Sequence, residues 1–280
     1  MVQIIRDVKS LREAIAALRQ NGNRIALVPT MGALHGGHMA LVRAALTQAD
    51  HVVTSIFVNP TQFGPTEDLS RYPRQEAQDV ELLGAEGCAL VWAPDVATMY
   101  PDGYDTMIRV GKLAERWDGA ARPGHFDGVA TVVTKLFQQV QPDVALFGEK
   151  DWQQLAVIRR TVADLDMPIT IVGVPTERAA DGLALSSRNA YISETERAIA
   201  PTLNRAMRAA AERIVAGDAV AASLTAAKDT LSAAGFGPID YVELVHAETL
   251  EPLCNFVTPA RMIAAAKLGA TRLIDNIDVK

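Results

Sequence analysis

Ile25-Ala26-Leu27-Val28, closed by Pro29 and followed by His35-Gly36-Gly37-His38, is the stretch whose reading decides the fold. The four apolar residues are branched or small and read as a buried strand that ends at Pro29. Beyond the histidines, Met39 to Leu46 has helical spacing, with Leu41, Val42, Ala45 and Leu46 on one face. Both histidines therefore stand where a strand gives way to a helix. In an open α/β sheet that is where ligands bind, and the unpaired N–H groups of a helix N-terminus favour anions. Two glycines between the rings let backbone approach a bulky ligand. Chemistry built here is expected to involve a phosphate. Two other readings stay open for this segment taken alone. One is a His-x-x-His metal pair, for which no third ligand such as the Glu of His-Glu-x-x-His stands nearby; the other is two unrelated loop histidines.

Outward from this segment, strand-like and helix-like patterns alternate. Strands are predicted at 25–28, 52–58, 90–92, 144–147 and 169–174, and helices at 10–19, 39–47, 74–83, 129–139 and 152–165. Such alternation predicts a Rossmann-like parallel sheet covered by helices, with right-handed crossovers. After about Glu177 the character changes: 194–216 and 219–233 are alanine-rich with helical periodicity, Gly235-Phe236-Gly237-Pro238 breaks the pattern, and 241–245, 262–268 and 272–277 read as strands. The expected division is an α/β domain over 1–176 and a smaller α+β domain over 177–280. Neither Gly-x-Gly-x-x-Gly after a strand nor the P-loop pattern occurs, so any nucleotide is held by another device.

The 280 residues suffice for about two domains with a sizeable core. A net charge of −6 argues against broad nucleic-acid binding but permits a local basic pocket for a nucleotide. Cys88 and Cys254 belong to no C-x-x-C motif and read as free thiols. With no apolar signal core near Arg6–Glu13 and no apolar run near the ~20 residues of a membrane span, the chain is expected to be cytosolic.

Three further segments carry chemistry. Asn59-Pro60-Thr61-Gln62-Phe63-Gly64 follows a strand, and its amides both donate and accept; it also reads as a plain polar turn. Phe147-Gly148-Glu149-Lys150-Asp151, ahead of Trp152-Gln153-Gln154, places a glycine, a lysine and an acid at a strand-to-helix junction, suited to phosphates and a magnesium ion; Asp151 also reads as a helix N-cap. Leu185-Ser186-Ser187-Arg188 offers neutral and charged donors to a triphosphate, or is a surface loop.

Together the segments resemble one family. His-x-Gly-His early and a Ser-Ser-Arg loop late match the nucleotidyltransferase superfamily shared with class I aminoacyl-tRNA synthetases. More specifically, Pro29–His38, Ile56–Phe63, Arg122-Pro123-Gly124-His125-Phe126, Gly128–Phe137, Phe147–Gln154 and Asp181–Asn189 resemble the pantothenate synthetases, in order and over essentially the full chain. The resemblance implies an ATP-dependent ligase that condenses (R)-pantoate with β-alanine through a pantoyl adenylate, releasing AMP and pyrophosphate, in coenzyme A biosynthesis. It implies that Met31, Gly32, Ala33, Leu34, His35, Gly36, Gly37 and His38 run along the ATP, with Gly148, Glu149, Lys150, Asp151, Glu177, Leu185, Ser186, Ser187 and Arg188 completing the nucleotide site. His35, His38, Lys150, Ser186, Ser187 and Arg188 are the implied catalytic groups, with His38 as proton donor or, if protonated, as an electrostatic stabiliser. Gln62, Gln154 and Asn59 are implied to bind pantoate and β-alanine, Asp79 to help hold Mg2+, and the chain to form a homodimer whose second domain closes over the nucleotide about a hinge near Pro175–Arg178.

Three positions depart from the family's commonest pattern. Leu185 replaces a frequent Met of similar volume; Asp127 stands where a basic residue is frequent and is expected to cap a helix beginning near Val129; Glu177 replaces an often apolar residue whose backbone is expected to meet adenine. The rival readings are a nucleotidyltransferase acting on a phosphorylated acceptor, a nucleotide-binding regulator without catalysis, and a tRNA-binding synthetase. The first lacks a reason to carry 59–63 and 147–154 together, the second to keep the catalytic groups, and the third is disfavoured by the negative charge.

Overall fold

Strand β2 (Ile25–Thr30) is the centre of the molecule, hydrogen-bonded in parallel to β3 (His51–Ile56) on one side and β5 (Val144–Gly148) on the other. In this computed structural model, which describes residues 2–65 and 67–280, three more strands complete a six-stranded parallel sheet with helices on both faces. They are β1 (Gln3–Ile5), β4 (Leu90–Trp92) and β6 (Thr170–Val174), and the strand order is β1-β4-β3-β2-β5-β6. The apolar run of β2 is continuous because both of its faces are covered. Ile25 and Leu27 pack with α1 (Val8–Leu18), α6 (His125–Val140) and α7 (Trp152–Asp164), whereas Ala26 and Val28 pack with α2 (Gly36–Leu46) and α3 (Glu76–Ala85). Two single-turn helices, α4 (Val96–Met99) and α5 (Asp118–Ala121), lie in the long connection from β4 to α6. β1 and these turns have no counterpart among the sequence expectations, since three or four residues carry too little periodicity to register.

The second unit is an antiparallel sheet, β7 (Phe236–His246), β8 (Ala260–Leu268) and β9 (Thr271–Val279), in that order. One face is covered by α9 (Thr202–Val215) and α10 (Val220–Ala233). Two expectations are corrected here. The helix expected over 194–216 is broken into α8 (Glu194–Ile199) and α9 at Pro201, which has no N–H to continue the ladder. The break expected at 235–238 lies largely inside β7, an edge strand whose register shifts between Phe236 and Tyr241 accommodate Pro238.

A third correction concerns α6. It begins at His125 rather than near Val129, so Asp127 falls within its first turn and accepts the N–H of Val110 at 2.9 Å instead of capping the helix.

The other face of the small sheet docks on the first unit, with Tyr241, Val245 and Ile263 against Trp117 and Trp152. The indole N–H of Trp152 donates to the carbonyl of Ala247 at 2.8 Å, that of Trp117 to Leu250 at 3.0 Å, and Arg272 reaches Asp118 at 2.5 Å. The segment joining the units is tied to β9 by Arg178, whose guanidinium grips Asp275 at 2.7 and 2.8 Å with the carboxylate only 3% exposed. Removing one partner leaves a buried charge uncompensated. Asp275→Ala is therefore expected to lower the free energy of unfolding by about 3–5 kcal/mol, read from urea denaturation; a loss below about 1 kcal/mol would show the pair to be a solvated contact.

Candidate active site

The loops that leave β2, β3 and β5 all emerge at the carboxyl edge of the sheet, where the strand order reverses. Loop 31–35 leads from β2 into α2. His35 is the N-cap: its Nδ1 accepts the N–H of Gly37 at 3.1 Å, and Nδ1 of His38, three residues on, accepts the N–H of His35 at 3.3 Å. This is a capping box in which two imidazoles stand in place of Ser and Glu. Gly37 is required because a Cβ there would lie 2.9 Å from the His35 ring. With both Nδ1 atoms accepting, each neutral ring carries its proton on Nε2 and offers one donor. Burial, reinforced by Lys150, lowers the His35 pKa to about 4; burial, with His35 and Lys150, lowers that of His38 to about 3. The rings, 4.2 Å apart, are thus neutral at pH 7, and their electrostatic contribution is that of hydrogen-bond donors rather than imidazolium ions.

Asp79 is placed differently from the expected metal role. It is 1% exposed, and its two oxygens accept the N–H groups of Ala33 at 2.9 Å and Leu34 at 2.8 Å. Ala33 is held at φ 51, a left-handed conformation unfavourable for a residue with a Cβ. The carboxylate fixes the bend that delivers His35.

Asn59, expected to contact substrate, is itself bonded to protein on both ends of its amide. It lines the cleft but is 1% exposed. Its oxygen accepts from Thr61 Oγ1 at 2.9 Å and Tyr100 Oη at 2.8 Å, while its NH2 donates to Gln62 Oε1 at 3.0 Å and to the Gly128 carbonyl at 3.2 Å. Gln62 Oε1 is therefore occupied, and its NH2 lies 3.1 Å from Met31 Sδ, with both residues lining the cleft. Gly128 permits this packing: a Cβ there would stand 2.3 Å from the Thr61 carbonyl.

Two residues quoted for the family resemblance but given no role above belong to the site. His125 Nδ1 lies 2.8 Å from the Gln62 carbonyl, and Arg122 Nη1 lies 2.9 Å from His125 Nε2. Because Arg only donates and a carbonyl only accepts, His125 is the neutral Nδ1–H tautomer, and burial with the neighbouring Arg122 lowers its pKa to about 4. Arg122 is itself clamped by Glu67 at 2.7 Å. No local pattern distinguishes such supports from ordinary surface charge; only the fold brings Glu67, Arg122 and Gln62 together.

The loop after β5 projects Lys150 into the cleft, 3.8 Å from Asp151, while Gln154 on α7 lines the same space. Glu149 does not line it; its carboxylate turns to Arg261 of the second unit at 3.4 Å. Asp151 precedes α7 without a side-chain capping bond. From the second unit, Ser187 Oγ donates to the Ala33 carbonyl at 3.0 Å, and Arg188 forms a fork with Asp68 at 3.0 and 2.9 Å. Burial pushes the Asp68 carboxyl up, but Arg188 outweighs it and holds it below the usual carboxylate range.

The resulting cleft, about 230 Å³, is lined by Met31, Gly37, both histidines, Gln62, Gly148, Lys150, Asp151, Gln154, Glu177 and the 185–188 loop. It opens into a trough of about 620 Å³ between the units, and Arg122, Lys150 and Arg188 line both. Gly32, Ala33, Leu34 and Gly36 lie behind its wall, with Gly36 against Leu185.

Fold and site define a class: a doubly wound α/β protein with a histidine-capped helix and a basic cleft at its topological switch point. The model of the pantoate–β-alanine ligase family matches residues 3–278. A pantothenate synthetase of Rhizorhabdus wittichii is 64% identical over 279 residues, covering 100% of this chain and 99% of its own, and one of Sphingopyxis alaskensis is 59% identical over 278 residues, covering 99% and 100%. The crystal structure of pantothenate synthetase from Thermus thermophilus superposes with a TM-score of 0.94 at 49% identity over 99% of both chains. That of the Francisella tularensis ligase, complexed with beta-gamma ATP and β-alanine, gives 0.84 at 33% identity over 99% and 98%. The chain belongs to the pantoate–β-alanine ligase family.

Two outcomes follow from the site geometry. Asp79→Asn is expected to lower the unfolding free energy by about 1.5–3 kcal/mol while leaving the Mg2+ concentration dependence of activity unchanged; a raised Mg2+ requirement at unchanged stability would restore the metal role. Between pH 6.5 and about 3 the unfolded chain binds a proton at position 38 that the folded chain does not, so stability falls as pH is lowered through this range. His38→Gln is expected to flatten that fall by up to one proton in urea titrations at pH 7, 6 and 5; parallel curves would show that His38 titrates normally.

Proposed function

We propose that the chain joins (R)-pantoate to β-alanine while converting ATP to AMP and pyrophosphate through a pantoyl adenylate. The family assignment supports the overall reaction. The observation that carries the reading is the convergence on one cleft of His35 and His38, Gln62, Lys150 with Gln154, and Ser186–Arg188, from four segments far apart in the chain.

In the first step a pantoate carboxylate oxygen bonds to the α-phosphorus as the P–O bond to the β-phosphate breaks and pyrophosphate leaves with the electron pair. In the second the β-alanine amine bonds to the acyl carbon, the C–O bond to AMP breaks, and the nitrogen loses a proton. The Gln62 and Gln154 amides hold the polar end of pantoate, and Val129, Val132 and Val133 of α6 give its methyl groups an apolar wall. Lys150 and Arg188 offset charge on the phosphates, and the Nε2–H groups of His35 and His38 donate where negative charge develops. Arg188 reaches the nucleotide by exchanging Asp68 for phosphate, so part of its binding energy replaces an existing ion pair. Alignment of carboxylate and α-phosphate supplies roughly 7–11 kcal/mol of the barrier.

For magnesium, the protein's own donors do not form a cage: among the described residues no three His, Cys, Asp or Glu side chains cluster to hold a metal, and Asp79 is committed to backbone. A Mg2+ ion held mainly by ATP phosphates is consistent with that donor set.

The test is ATP–pyrophosphate isotope exchange without β-alanine. Exchange that depends on pantoate supports the adenylate; exchange independent of pantoate, or none in a folded, ATP-binding protein, contradicts it. His38→Ala, Lys150→Ala and Arg188→Ala are each expected to lose about 10²–10³ in kcat while remaining folded, and near-normal turnover in any of them would remove that residue from the mechanism.

A further inference from the structure

Lys150 sits on a single 3-10 turn, Glu149–Asp151, between β5 and α7. A turn this short fixes its backbone weakly, yet its lysine must meet a phosphate within a few tenths of an ångström. The side chain that steadies it comes from the other unit. Asn276 of β9, 5% exposed, donates from one NH2 to two successive carbonyls, Glu149 at 2.9 Å and Lys150 at 2.8 Å. Its oxygen accepts from Arg261 Nη1 at 2.9 Å, and since Arg only donates, this sets which end of the amide faces the turn.

Arg261 is immobilised in turn. It is 4% exposed, bonded to Asp278 at 3.0 Å, within 3.4 Å of the Glu149 carboxylate, and stacked 3.3 Å from the Trp152 ring centroid. The Asn276 carbonyl accepts from Arg178 Nη2 at 3.2 Å, so the link between units, β9 and the Lys150 turn form one continuous network. The Asn276 amide thus joins Arg261 of its own sheet to the turn of the first unit.

We propose that Asn276 is a positioning residue that sets the backbone of Lys150, so that docking of the second unit assembles the phosphate site as well as covering it. This rests on the reading of Lys150 as a phosphate ligand; pantoate-dependent exchange by the unaltered protein tests that reading separately.

The experiment is a double-mutant cycle of Asn276→Ala and Lys150→Ala in the full chain, read by ATP affinity in calorimetry, by kcat and KM, and by thermal midpoint. Asn276→Ala is expected to weaken kcat/KM for ATP by about ten- to a hundredfold, with KM for β-alanine changed less than about twofold. In the Lys150→Ala background the same substitution is expected to change ATP affinity less than about twofold, the non-additivity of two groups acting as a unit. Equal losses in both backgrounds, or a lowered thermal midpoint with ATP kinetics intact, would overturn the proposal. Should Asn276→Ala fail to fold, Asn276→Ser, which keeps one donor, carries the same cycle; an intermediate loss that vanishes with Lys150→Ala supports the assignment, and an undiminished loss refutes it.

Discussion

Everything at this site depends on where the parallel sheet reverses its order. β2 is flanked by β3 on one side and β5 on the other, so the loops leaving these strands cannot all follow the same side of the sheet. They splay apart at the carboxyl edge and leave a crevice whose walls are already polar backbone. The histidine loop, the Gln62 loop and the Lys150 turn are each anchored by a strand whose position the buried core sets. At Gly128, α6 packs directly on the backbone of the Gln62 loop.

Within that crevice, most buried polar atoms are spent on holding other atoms in place. Asp79 holds the bend before His35, Asn59 turns the Gln62 amide, Arg122 and His125 hold the Gln62 carbonyl, and Asn276 holds the Lys150 turn. Each of these side chains is satisfied by protein partners, which is what burial demands of a polar group. The polar side chains that line the cleft around them include the two imidazoles, Gln62, Gln154, Lys150 and Arg188, the last of these paired with Asp68. Preorganisation of this sort lowers the reorganisation a reaction requires, because donors already point at the place where charge develops.

This division explains what was legible in the sequence. The central strands and the strand-to-helix position of the two histidines follow from local apolar runs and breakers, which are short-range signals, whereas the meeting of 59–62, 147–154 and 186–188 is implied only by the resemblance to the family. Asp79 sits on α3, and Asn59 and Glu149 inside those same motifs, yet local spacing does not distinguish a carboxylate or amide facing a ligand from one held by protein. Their partners, Ala33, Gly128 and Arg261, lie 46, 69 and 112 residues away. The joint at Pro201 and the strand running through Pro238 turn on the same distinction. Proline interrupts the ladder of a helix interior, but it is tolerated on an edge strand, and only the assembled sheet defines an edge.

The most direct test of the account follows one oxygen atom. Pantoate labelled with ¹⁸O in its carboxylate is turned over with ATP and β-alanine, and the products are weighed by mass spectrometry. If the cleft forms an acyl adenylate, the carboxylate oxygen that attacks the α-phosphorus stays there when the amine displaces it, and AMP carries one ¹⁸O. AMP without label, or label in pyrophosphate or in free phosphate, would contradict an attack by pantoate on the α-phosphate and with it the roles assigned to the loops of this site.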